Sequence, residues 1–352
     1  MDHSSLNPAP ATAGGPASPP APGGSPEPLE GGLFRLRPPV PGPLGWTNSY
    51  LAQDESGRWS VLDPGLDWPP ARRLWESAAR ELGWQPGALR QVVVTHFHPD
   101  HLGLAGWLAE RWGGRVLVHA RELPLVLRIA SPWPAERQRH LARMREYMAS
   151  HGVPPAESGP LLEASPLIAS ACHPLPHLTA LHDGQRLRFG PHEAVALWTP
   201  GHTAGHLCLY LPEPRLLFSG DHVLEKITPN VSLWPGGSSE PLEEYLGSLR
   251  RLERLPARRV LPAHRDSLEE LGARLEQIER HHDERLERCR EAAGRHPASA
   301  YELLFRLFAP DLPLEQRLFA LGETLAHLRW LERAGRVRRM EGAGGVTLFA
   351  AR

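Results

Sequence analysis

The sequence predicts a sandwich of sheets enclosed by helices, with a smaller module behind it. Three observations predict this. From Leu33 onward, short apolar runs alternate with amphipathic segments of helix length. Several of the runs end directly on His or Asp, which would bring those side chains to one edge of a sheet. Beyond about residue 293 the rhythm becomes amphipathic helices followed by a hairpin pattern.

Residues 1–32 are rich in Pro, Ala, Gly and Ser and carry almost no large apolar side chain to bury, so a disordered, dispensable tail is expected there. "LFRLR", "NSYLA" and "WSVLDPG" read as strands, residues 70–82 as a helix, "QVVVTH" as a strand, residues 103–112 as a helix and "RVLVHA" as a strand. Residues 121–180 interrupt the pattern with a helical stretch and then a Pro-rich one. An insertion of that kind serves either as a lid or substrate wall or as helical decoration. Trp133 and Tyr147 are its candidate wall residues, with packing the commoner role. "RLRFG", "EAVALWTP", "HLCLYLP", "RLLFSGD" and "RRVLPAH" complete the strands of a first domain spanning 33–265. A long charged helix over 266–292 connects it to a second domain, 293–352. There "AYELLFRLF" and one or two further helices precede the hairpin "VRRMEGAGGVTLFA", the outline of a small winged helix.

Composition narrows the function. With 352 residues, 41% hydrophobic and 22% charged, the chain can build a substantial core, and its net charge of −1 points globally to neither nucleic acid nor membrane. Lys226 is the only lysine. Cys172, Cys208 and Cys289 are scattered, odd in number and in no CxxC pattern, which argues against a disulfide framework or a thiolate zinc site. No apolar run reaches membrane-spanning length, and the first residues carry neither a basic nor an apolar leader region, so a cytoplasmic location is the expectation.

The chemistry concentrates in "THFHPDH", residues 95–101. In an extended segment His96 and His98 project to the same side and can reach one cation, while Asp100 and His101, beyond the turn at Pro99, can face a second point. Imidazole nitrogen with carboxylate oxygen suits zinc, iron or manganese. "TPGHTAGH" places His202 in a Gly-flanked turn, "FSGD" ends on Asp221 and "LPAH" ends on His264, each after an apolar run.

Taken together, "THFHPDH", "TPGHTAGH", "FSGD", "LPAH" and the earlier "LDPG" resemble the metallo-β-lactamase-fold hydrolases, in the style of the glyoxalase II-like branch, over roughly residues 33–280 in the family's order. The C-terminal segment resembles the winged-helix tail of lactamase-beta-like hydrolases, some of which are endoribonucleases. The resemblance implies an α+β chain: a four-layer αβ/βα sandwich with a small C-terminal winged-helix domain. It implies two divalent ions, zinc foremost with iron or manganese as alternatives. His96, His98 and His202 would hold one ion, Asp100, His101 and His264 the other, and Asp221 would bridge them. It also implies a metal-bound hydroxide as nucleophile, with Asp100 orienting it and later taking its proton. The chain departs from the family in having His222 after the bridging Asp, where Thr is usual, and Ala263 before the last His, where Gly is usual. The first change sets a further donor beside the ions.

Other polar residues have plainer readings. Asp63 is expected to cap and brace the fold, His206 to support a neighbouring ligand or a substrate oxygen, His119 to be structural, and His281 and His282 to be solvated. Lys226 and Trp234 are expected to pack their loop, Cys208 to lie in the core, and His173 and His177 have no assigned role. Arg329, Arg333, Arg336, Arg338 and Arg339 could form a phosphate-binding stripe, but interspersed glutamates favour a packing or homodimer module with a solvated face.

The leading function is therefore a dinuclear metallohydrolase of a small ester or thioester, resembling hydroxyacylglutathione hydrolase, with β-lactams expected to be poor substrates. The alternatives are a metal-dependent endoribonuclease on single-stranded RNA, which the low net charge disfavours, and a non-catalytic binding or regulatory module, which the intact ligand set disfavours. A mono-iron sulfur dioxygenase would need only His96, His202 and Asp221.

Overall fold

The computed structural model describes residues 24–42, 44–129, 134–163 and 175–352. A seven-stranded sheet carries Glu27–Pro28, Leu33–Leu36, Ser49–Gln53, Trp59–Leu62, Leu89–Val93, Arg115–His119 and Leu178–Leu181 in that order. Its last four strands run parallel. A five-stranded sheet carries Arg186–Phe189, His192–Trp198, Leu207–Leu211, Leu216–Gly220 and Arg259–Pro262, with only the last pair parallel.

The period-two alternation of each strand sorts its side chains between two cores. In the first sheet Tyr50, Leu62, Val93 and Leu117 face the second sheet, while Leu51, Val61, Val92 and Val116 face outward. In the second sheet Leu207, Leu209, Leu216, Phe218 and Leu261 face inward, and Cys208, Tyr210, Leu217 and Val260 face outward. Tyr50 and Phe218 close the gap between the sheets with ring centroids 4.8 Å apart. Each such buried large side chain stabilises the sandwich by about 1.5–3 kcal/mol.

Helices cover both outer faces. Pro69–Glu81 begins with two prolines, whose missing N–H groups cost nothing in a first turn, and buries Ala71, Leu74, Trp75 and Ala78 against the first sheet. Pro241–Leu252 and Leu271–Ala293 bury Leu242, Leu249, Leu275 and Ile278 against the second. The result is the four-layer order expected, helix–sheet–sheet–helix.

Behind the second helical layer, Ala300–Leu307 and Leu314–Arg333 pack with a sheet ordered Ala298–Ser299, Thr347–Ala351, Val337–Glu341. Ser299 caps the first of these helices by exchanging hydrogen bonds with Glu302. Leu304, Leu328 and Phe349 join the same apolar cluster as Leu249 and Ile278, so this module shares a core with the sandwich. Among the described residues no helix is long and apolar enough to cross a membrane.

Several expectations need correction. The tail expected over 1–32 ends earlier, because Glu27–Pro28 pairs antiparallel with Phe34 and Arg35, and Arg35 bonds the Glu27 carboxylate; residues 1–23 lie outside the described residues. The strand "QVVVTH" stops at Val93, because the Thr95 N–H donates to the Asp63 carboxylate instead of to a neighbouring strand. The 121–180 insertion holds three described helices, Leu123–Ile129, Pro134–Ser150 and Pro155–Glu163, but its last residues form the edge strand Leu178–Leu181. Trp133, Cys172 and His173 lie outside the described residues.

Candidate metal centre

The connections that follow Leu62, Val93, Trp198, Gly220 and Pro262 meet at one edge of the sandwich. They bring all seven predicted residues into two clusters, His96 with His98, His202 and Asp221, and Asp100 with His101 and His264. In the first, His96 Nε2 lies 2.9 Å from His98 Nδ1, and His202 Nε2 lies 3.2 and 3.1 Å from those two atoms. A tetrahedral cation with bonds of about 2.0–2.1 Å sets its donors roughly 3.3 Å apart, so this triangle has the size such an ion requires. In the second, His264 Nε2 and His101 Nε2 lie 3.2 and 3.5 Å from Asp100 Oδ2.

Asp221 joins the clusters. Its Oδ1 lies 3.4 Å from His264 Nε2 and 3.5 Å from His101 Nε2, while its Oδ2 lies 3.7 Å from His202 Nε2. His101 Nε2, His264 Nε2 and Asp221 Oδ1 are buried and have no hydrogen-bond partner among the described residues. Orphaned polar atoms this deep are costly unless another group satisfies them, and a cation would satisfy all three at once.

The far sides of the rings fix which nitrogen faces the centre. His202 Nδ1 donates to the Asn230 carbonyl at 2.7 Å, His264 Nδ1 to the Trp46 carbonyl at 3.0 Å and His101 Nδ1 to Asp63 Oδ2 at 3.0 Å. His96 Nδ1 meets Thr95 Oγ1 at 3.0 Å, and that hydroxyl gives its own hydrogen to Asp63. Each contact leaves Nε2 with its lone pair toward the centre, as a ligand needs. His98 alone presents Nδ1.

The electrostatics of the two clusters differ. Burial holds the His96 imidazole well below its usual range, and the neighbouring histidines add to the effect; His98 is pushed down to about 3 and His202 is also lowered. The three histidines of the first cluster are thus neutral donors. Burial works against a charge on His101 and His264 too, but the carboxylates of Asp221 and Asp100 outweigh it and raise both. Burial would likewise raise the Asp100 and Asp221 carboxyls, yet the facing histidines hold both below the usual range. Two carboxylates thus face the rings of the second cluster, and a cation there would balance their charge while leaving both imidazoles neutral.

Close backbone approach builds the edge. Gly220 has φ of 51°, and a Cβ there would lie 2.6 Å from His206 Nε2 and 2.9 Å from Thr95 Cβ. That contact lets His206 accept the Asp221 N–H at 3.2 Å, while its Nδ1 faces Thr199 Oγ1 at 2.9 Å. His206 therefore supports the backbone of a candidate ligand. His222 is not among the donors: its ring is buried, centred 5.5 Å from His206 and 4.7 Å from Tyr245, with neither nitrogen hydrogen-bonded among the described residues. Asp63 does brace the fold, through Thr95 and His101.

Sequence reasoning missed three supports. The Glu122 carboxylate accepts from Phe97 N, Thr203 Oγ1 and Gly205 N, tying "THFHPDH" to "TPGHTAGH"; burial pushes it up to about 7 against the pull of those donors. Asn48 donates to the carbonyls of Pro262 and Arg265 on either side of His264. Asn230 holds His202. The only advance signals were polar residues abutting strand ends, "HARE" and "TNS"; nothing marked Asn230.

The remaining candidates fall into place. His119 stacks on Trp198 with centroids 5.8 Å apart. Exposed Lys226 pairs with Glu225. Cys208 is buried in the sheet. His282, expected in solvent, is buried, with Nδ1 3.2 Å from His327 Nε2, whereas its neighbour His281 is half-buried. Of the five C-terminal arginines, Arg329 and Arg333 pair with Glu240 and Arg336 pairs with Glu287, which neutralises most of the supposed phosphate stripe. Tyr147, Trp234, Leu325, Arg339 and the buried His151 wall a cavity of about 440 Å³ between the insertion, residues 233–239 and the C-terminal module.

The metallo-beta-lactamase superfamily model matches residues 42–264, a span that contains every one of these donors. The chain belongs to the metallo-beta-lactamase superfamily. A model of the metallo-beta-lactamase-like C-terminal domain matches residues 286–352. A metallo-beta-lactamase family protein of Thermus thermophilus superposes with a TM-score of 0.79 at 33% identity, covering 91% of this chain and 99% of that one. The atrochrysone carboxyl ACP thioesterase of Aspergillus fumigatus is 35% identical over 66% of this chain and 69% of its own length. The hydroxyacylglutathione hydrolase of Rhizobium meliloti is 28% identical over 47% of this chain and 44% of its own length. These relatives set this superfamily member among the metallohydrolases, and its His and Asp clusters fit a divalent-metal site.

Proposed function

We propose that this chain is a dinuclear metal-dependent hydrolase of a small ester or thioester, with His96, His98 and His202 holding one ion, Asp100, His101 and His264 the other, and Asp221 shared. The observation that carries the reading is the divided Asp221 carboxylate, one oxygen toward each cluster. Zinc is the proposed ion, and iron or manganese suits the same donors. When bound, such a pair supplies an activated water and polarises the scissile carbonyl.

The chain's own groups do the rest. Asp100, whose carboxylate faces His264 and His101, would orient the attacking water and take its proton. The Asp63, Trp46 and Asn230 contacts keep the rings from turning as charge builds. The 440 Å³ cavity is of the size that holds a small organic group. An ester-type substrate is also supported by the thioesterase and hydroxyacylglutathione hydrolase relatives. The paired C-terminal arginines speak against RNA, and we read the module as a winged helix used for packing.

The test is a metal-loaded screen of thioesters, lactones, phosphodiesters and β-lactams, with His98→Ala as control. Thioester or ester turnover that His98→Ala abolishes while the protein stays folded is the expected result. Turnover of RNA or a β-lactam in preference to every ester would overturn the reading.

A further inference from the structure

We propose that the C-terminal module is a positioning element of the metal centre, acting on His202 through Asn230; this rests on the reading of His202 as a ligand. Asn230 lies in the long connection between Gly220 and Pro241, and its carbonyl is the acceptor for His202 Nδ1 at 2.7 Å. That connection is held by later parts of the chain. The Asn230 amide donates to the Phe319 carbonyl at 3.3 Å and to Glu323 Oε2 at 3.4 Å, and Leu233 N donates to the Gly322 carbonyl at 3.1 Å. All three partners lie on the helix Leu314–Arg333 of the C-terminal module. Arg274, on the preceding helix, holds the Leu224 and Ile227 carbonyls of the same connection.

Gly322 shows how tight the seat is. A Cβ there would meet Ser232 Oγ at 2.6 Å, Trp234 Cζ2 at 2.7 Å and Ser232 Cβ at 2.8 Å. Ser232 in turn bonds the Asn230 side chain. A helix interior disfavours glycine, so its presence where the connection crosses is accounted for by this contact. Glu323, half-buried with its carboxylate 3.5 Å from Arg285, gives the Asn230 amide a fixed acceptor. A shift of residues 230–234 would therefore turn the ring of His202 and disturb the cluster it shares with His96 and His98, while Asp100, His101 and His264 rest on Thr47, Asp63 and Trp46, in the first domain.

The test is cobalt(II) titration of the full chain carrying Gly322→Ala or Glu323→Ala, with Glu323→Gln as the conservative variant, because glutamine keeps an oxygen for the Asn230 amide. Expected is a roughly 10–100-fold weakening of one of the two cobalt binding steps, with a changed visible spectrum, while the other step stays within about twofold. For the best substrate of the screen, kcat should fall with KM within about twofold, and Glu323→Gln should recover the wild-type values. Wild-type behaviour at both steps in both alanine variants would overturn the proposal, as would equal weakening of both steps, which is the mark of general loosening. A wild-type chain that takes up no cobalt would sink the metal reading itself, a result distinct from these.

Discussion

Asp63 and His101, 38 residues apart in sequence, meet at 3.0 Å on the side of the imidazole that faces away from the donor cluster. The same carboxylate accepts from the Thr95 N–H and hydroxyl, so it fixes a candidate ligand and the loop that delivers it. Asp63→Asn keeps the shape but replaces one acceptor oxygen with an NH₂ group, which must face a donor. The expected cost is about 1–3 kcal/mol of stability and roughly 10–100-fold in affinity for the ion at Asp100, His101 and His264. Chelator competition and urea unfolding measure the two; a variant equal to wild type in both would show the contact to be incidental.

The proposed sharing of Asp221 makes a stoichiometric prediction. His98→Ala and His264→Ala each remove one donor from one cluster, so each should fall from about two ions per chain to about one. Asp221→Ala removes a donor from both and should fall below about one. Elemental analysis of the purified variants decides it. If Asp221→Ala keeps two ions, Asp221 does not bridge.

Glu122 offers a test of a support outside the donor set. Its carboxylate meets three donors, Phe97 N at 3.1 Å, Thr203 Oγ1 at 2.5 Å and Gly205 N at 2.7 Å. Glu122→Gln would turn an NH₂ group toward at least one of them, at a cost of about 1–3 kcal/mol, and Glu122→Ala would leave all three unpaired and lose more. Urea midpoints should rank wild type, Gln, Ala; a reversed order would mean the pocket relaxes around the smaller side chain.

What was legible in the sequence follows from what local pattern encodes. The strands around Val92, Leu209 and Phe218 could be read because each is a short, nearly continuous apolar run, buried on both faces of its sheet. The seven candidate donors could be read because they fall in four short motifs, each lying at or just beyond a strand end. The brief pairing of Glu27–Pro28 could not, since two residues in a Pro-rich stretch carry no alternation. Nor could Asn230 or Glu122, whose partners lie 28 and 81 residues away and exist only once the sheets have packed. His282 misled for the same reason: its charged neighbours describe the exposed face of its helix, while it occupies the other face, against His327.

That buried pair sets a pH dependence of its own. His327 Nδ1 donates to the Glu323 carbonyl at 2.8 Å, so its Nε2 accepts from His282 Nδ1, and both rings are neutral. Burial pushes His327 down to about 3 and holds His282 well below the usual range, each reinforced by nearby histidine or arginine. The unfolded chain takes up these protons near pH 6.5, whereas the folded chain resists them until far lower. Between those limits the unfolded state binds more protons, so the stability the pair contributes is whole above about pH 6.5 and declines as the pH falls. His327→Gln removes one titrating base and keeps an acceptor for His282. In metal-free protein the variant should lose stability less steeply between about pH 6 and 4, by about 1.4 kcal/mol per pH unit. Urea unfolding of both proteins across that range measures the difference, and parallel slopes would show that the buried imidazoles do not report on acid unfolding.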